Sequence, residues 1–169
     1  MIGSWDTENL SSPEHFADLA NAYLDSGILL CSEMSNGSFS TTFSRGRVVL
    51  FLSLHSVELF LKGAILKRSP SAALNTHVLR DLQSTYNELY PEDRFRWELP
   101  FKTEYLGFTA QEVETLLKRE RPLDQMYRYP SDTKGNPWRG IIGFEAKDFL
   151  RKLENIKEDF CRLEKQIFA

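Results

Sequence analysis

Residues Arg45 to Arg68 read R-G-R-V-V-L-F-L-S-L-H-S-V-E-L-F-L-K-G-A-I-L-K-R. Apolar side chains fall on nearly every face of the helix that this stretch predicts, the pattern of a helix in the middle of a bundle. His55, Glu58 and Lys62 interrupt it at spacings of three and four, so all three lie on one stripe. Burying an unpaired charge is costly, so a polar stripe on a central helix must be paired or must line a groove. That stripe is where function is to be sought.

On the N-terminal side, Ser12-Pro13-Glu14 is a helix start: a capping serine, a proline at the first helical position and an acid in the first turn. Phe16, Leu19, Ala20, Tyr23, Leu24, Ile28 and Cys31 then recur at helical period to about Met34, where Ser35-Asn36-Gly37-Ser38 ends the helix. Residues 1–11 read as a tail and 12–169 as one domain. The central helix is expected from about Ser44 and stops before Ser69-Pro70, since a residue preceding proline disfavours helical backbone. A third helix is expected from about His77 to Leu89. Five aromatics between 91 and 108 predict a packed connection rather than a linker. Thr109 and Glu112 form a capping-box pattern that opens a short helix to about Lys118.

Met126 to Pro130 and Trp138 to Gly143 read as extended, flanking a turn-rich loop, so a small hairpin is expected there. The last helix begins near Glu145. Phe149, Leu153, Ile156, Phe160, Leu163 and Ile167 follow one another at intervals of four and three, a narrow seam suited to antiparallel packing in a bundle. The expected architecture is all-α: an up-and-down bundle of about five helices with a small extended excursion before the last.

Composition excludes several classes. All 21 Lys and Arg lie beyond residue 44, while Asp6, Glu8, Glu14, Asp18, Asp25 and Glu33 lie before it. An acidic helix docked on a slightly basic remainder accounts for that polarity. A net charge of −3 does not suit a general basic-patch nucleic-acid binder. No basic region followed by an apolar run opens the chain, so no secretory signal is expected. No uninterrupted apolar run approaches bilayer length, so no membrane association is expected. Cys31 and Cys161 both fall in helical patterns and are expected to be core thiols of a cytoplasmic protein. Three scattered His and two Cys do not make a metal site, and no cofactor motif is present. Phosphate loops, Gly-x-Ser-x-Gly and His-Glu-x-x-His are all missing.

Two clusters remain as candidate sites. One is the stripe of His55, Glu58 and Lys62, with His77 at the head of the third helix. A histidine there is expected to bond a carboxylate or a helix end. The other is the basic and aromatic mixture of residues 118–139, in which Arg128, Tyr129 and Trp138 could hold a nucleotide or single-stranded RNA by phosphate contact and stacking.

Three local patterns together resemble the HEPN superfamily of small helical bundles. They are His55-Ser-Val-Glu58-Leu-Phe-Leu-Lys62, Thr76-His77-Val-Leu, and Met126-Tyr-Arg128-Tyr129-Pro130. The resemblance implies a homodimer in a bacterial defence or toxin–antitoxin setting, with RNA, a nucleotide or a partner protein such as a nucleotidyltransferase as ligand. Many such proteins are metal-independent ribonucleases with an Arg followed, four to six residues on, by a His. Here no Arg has a His at that spacing; Arg47 and His55 come nearest, with seven residues between them. The expectation is therefore a non-catalytic interaction module. A divergent ribonuclease using His55 or His77 with Arg47 or Arg128 is the first alternative, and a purely protein-binding regulatory domain the second.

Overall fold

The computed structural model of the chain describes residues 12–99, 109–112, 114, 127–129, 131, 134–135 and 144–169. Its order is α1 (Ser12–Ser35), α2 (Phe43–Arg68), α3 (Leu79–Leu89), a 3-10 turn (Asp93–Phe95) and α4 (Ala146–Ile167). The chain is an all-α bundle, as its periodicity predicts.

Helix α2 is the hub. It starts at Thr42, whose hydroxyl accepts from the Arg45 N–H, and it buries residues from Gly46 to Ile65. α2 is long and apolar enough to cross a membrane, which the short apolar runs of the sequence had not suggested. Yet 78% of its most apolar window is buried against the other helices, the surroundings of a core helix.

Helix α1 packs antiparallel to α2: Gly63 lies against Pro13 and Phe16, Ser56 donates to the Ala20 carbonyl, and Gly27 lies against Ser53. Glycine at 63 is required by that approach, because a Cβ there would stand 2.8 Å from the Pro13 carbonyl oxygen. The end of α1 uses Gly37 at φ 81°, the left-handed conformation that lets Phe39 N–H reach back to the Glu33 carbonyl.

Helix α4 also runs antiparallel to α1. Asn21 meets Glu164, Asp25 meets Lys157, and Cys31 Sγ donates to the Ala146 carbonyl at 3.2 Å. The Lys67–Glu14 pair at 3.2 Å and the Lys157–Asp25 pair dock acidic groups of α1 on basic groups of α2 and α4. The α4 seam is buried from Leu153 to Ile167, with Phe149 half-buried.

Phe60 of α2 stacks on Phe160 at 4.1 Å between centroids, and Trp97 meets both rings edge-on at 5.7 Å. Tyr86 donates to the Phe95 carbonyl and Tyr90 to the Ala64 carbonyl, each at 2.9 Å. The connection after α3 is thus packed through Phe95 and Trp97, as its aromatics predict.

Three local expectations are corrected. Helix α3 begins at Leu79 rather than His77, because the Thr76 hydroxyl accepts the Val78 N–H and keeps Val78 extended. Residues 127–128 are helical, not extended. Cys161 is exposed rather than a core thiol, since it lies one residue off the seam; Cys31 is fully buried, and burial pushes its thiol up to about 11. Thr109 and Glu112 form the expected capping box, Glu112 accepting from both Thr109 N–H and its hydroxyl, at 2.8 and 2.7 Å. The expected tail 1–11, the helix beyond 114 and the hairpin strand 138–143 lie outside the described residues.

Candidate functional site

The polar stripe of α2 is built around one carboxylate. Glu58 is 3% exposed, with apolar neighbours on both sides along the helix. Lys62, one turn on and also buried, donates to Glu58 Oε1 at 2.8 Å. His77, arriving from the segment before α3, places Nδ1 2.9 Å from the same oxygen. Burial alone would raise the Glu58 carboxyl. The facing nitrogens of His55, Lys62 and His77 outweigh it and hold the group down at about 2. The carboxylate is therefore ionised and can only accept, so the hydrogen of the His77 bond sits on Nδ1.

His55 belongs to the stripe but not to the bonded row. Its Nδ1 is buried without a hydrogen-bond partner and stands 3.7 Å from Glu58 Oε2, beyond hydrogen-bond reach. Packing holds the ring instead: it stacks on Phe51 (5.7 Å, 9° between planes) and meets Tyr23 of α1 edge-on at 4.7 Å.

Phe51 carries the stripe toward the second cluster. The Arg128 guanidinium lies 5.1 Å from the Phe51 centroid, a cation–π contact. Arg47, one turn before Phe51, donates to the Tyr129 carbonyl. One face of α2 thus gathers Arg47, Phe51, His55, Arg128 and Tyr129, while Glu58, Lys62 and His77 continue it. Arg128 and Tyr129 are exposed and Arg47 half-buried. Trp138 lies outside the described residues.

Arg47 and His55 are two helical turns apart, about 12 Å along the axis, too far to act on one atom together. Tyr23 and Phe51 are the members that sequence reasoning missed. Phe51 was recoverable, lying four residues before His55 on the same stripe; Tyr23 depends on how α1 crosses α2. Among the described residues no group of three His, Cys, Asp or Glu side chains is placed to hold a metal ion.

An open cavity of about 320 Å³ lies elsewhere, at the end of α1, lined by Ser26, Leu29, Leu30, Glu33, Ser38 and Phe39. It includes no residue of the stripe.

Comparison of the chain with protein-family models, characterised proteins and solved structures returned no match. What the site does is therefore argued from its own chemistry.

Proposed function

We propose that this chain is a non-catalytic, HEPN-like interaction module that acts as a homodimer and binds single-stranded RNA. The observation that carries the reading is the Arg128 guanidinium over Phe51, next to exposed Tyr129 and to Arg47. Two cations beside rings form a surface suited to phosphates and unstacked bases, and such a surface needs no net positive charge on the whole chain. A cytoplasmic location and a bacterial defence or toxin–antitoxin setting belong to the same proposal.

The test is fluorescence polarisation with a labelled single-stranded oligoribonucleotide. Binding is expected to weaken as salt rises, because phosphate contacts release counterions. Arg128→Ala and Tyr129→Ala are each expected to cost about 1–3 kcal/mol, the range of one stacked base. Loss of salt dependence with both variants unaffected would remove RNA from the reading. Binding of neither RNA nor nucleotide would leave a protein-binding regulatory domain.

A divergent ribonuclease is the second reading, and one observation favours it. The hydrogen bond to Glu58 fixes the tautomer of His77, as a proton-transfer histidine requires. RNA cleavage abolished by His77→Ala would promote it.

A further inference from the structure

We propose that His77 is a phosphoryl-acceptor site, its Nε2 taking the phosphoryl group of an acyl phosphate to form a phosphohistidine. The inference does not depend on RNA binding. It rests on how differently the structure treats the two edges of one imidazole.

Nδ1 is committed to Glu58 Oε1 at 2.9 Å, while the side chain as a whole is 62% exposed. Nε2, on the opposite edge of the ring, has no partner among the described residues. Glu58 is a buried acceptor anchored by Lys62, so Nδ1 carries the hydrogen and the lone pair is left on exposed Nε2. A nucleophile oriented from behind by a fixed carboxylate is the arrangement that activates a side chain for attack.

The step balances without a further reactant. The Nε2 lone pair attacks phosphorus and an N–P bond forms. The P–O bond to the acyl group breaks, and the carboxylate leaves with its electron pair. No proton moves and nothing is oxidised. The ring becomes an imidazolium that keeps its Nδ1 hydrogen on Glu58, so the new positive charge rests against a buried negative one.

His55 does not share this geometry. The His55 ring is packed between Phe51 and Tyr23 with its Nδ1 buried.

The experiment treats the full chain with acetyl phosphate and reads intact mass, then maps the site under alkaline conditions that preserve phosphohistidine. One phosphoryl group at His77 is expected, acid-labile and lost in His77→Ala. Its rate is expected to exceed that at His15 and His55 by about tenfold or more, the worth of one hydrogen bond to a charged group. Glu58→Gln is expected to erase that advantage while circular dichroism stays helical. Should that variant fail to fold, the native chain compared with the chain in urea decides, because the advantage of His77 must vanish on unfolding. No modification at His77, or equal rates at all three histidines in the native chain, overturns the proposal.

Discussion

At the scale of single residues, Glu58 links stability to pH. Its ordinary value is 4.5 and its folded value about 2. A carboxyl whose pKa falls on folding contributes stability that is fully present above its ordinary value and is lost as pH drops through its folded value. The window therefore runs from about pH 5 down to about pH 2. Urea unfolding is expected to show wild type losing about 1–3 kcal/mol more than Glu58→Gln between pH 6 and pH 2.5. Parallel losses in both proteins would show that Glu58 is not the linked group. Half of this centre was legible in the chain. Glu58 and Lys62 stand four apart in the favourable order within an apolar helix, which predicts a paired and partly buried stripe; the pair is in fact buried. The third donor was legible only in part: a carboxylate or a helix end is the partner expected for His77, but nothing in the sequence names Glu58 as that carboxylate. The stripe pointed to His55, three residues away, whereas His77, nineteen residues along, makes the bond. Rotamers and the path of the 69–78 segment decide between them, and no local spacing encodes either.

At the scale of elements, the crossing of α1 on α2 is set by one missing side chain. A Cβ on Gly63 would stand 2.8 Å from the Pro13 carbonyl oxygen and 2.9 Å from Phe16 Cβ, so backbone as well as side chain would have to yield. Gly63→Ala gains helix propensity but is expected to lower stability by about 1–3 kcal/mol, the usual cost of overpacking. A raised melting temperature would mean that the helices part there without penalty. The helices themselves were readable to within a residue or two where caps and period agreed, as in α1, α2 and α4. Reading failed where a side chain competes with the backbone. Thr76 takes the Val78 N–H and delays α3, and Tyr127-Arg128 looks strand-like in composition yet turns helically. Cys161 was a different failure: the interval of four and three in α4 already excludes it from the seam, so its exposure follows from the pattern itself.

At the scale of the whole molecule, the reading joins a bundle, a homodimer and an absence of RNA cleavage. Leu29 and Phe43 stay exposed on one chain, which leaves apolar surface for a second copy to cover. Light scattering at micromolar concentration is expected to give twice the 19.6 kDa chain mass, and a mass of one chain would reject the dimer. Cleavage of RNA by transesterification needs a base at the 2′-hydroxyl, an acid at the leaving oxygen and a cation over the phosphate. Arg128 and Arg47 supply cations, but the histidine on their stripe is His55, and its Nδ1 is buried. His77 is exposed, while His55, facing the other oxygen of the same Glu58 carboxylate, keeps its Nδ1 buried, so the two histidines are not both presented to a substrate. Purified protein is therefore expected to leave a labelled oligoribonucleotide intact at the buffer rate, with or without divalent metal. The informative control for a site shared between two copies is a mixture of His55→Ala and His77→Ala proteins. Activity in wild type that each single variant lacks and the mixture restores would place a composite site across the dimer and overturn the non-catalytic reading.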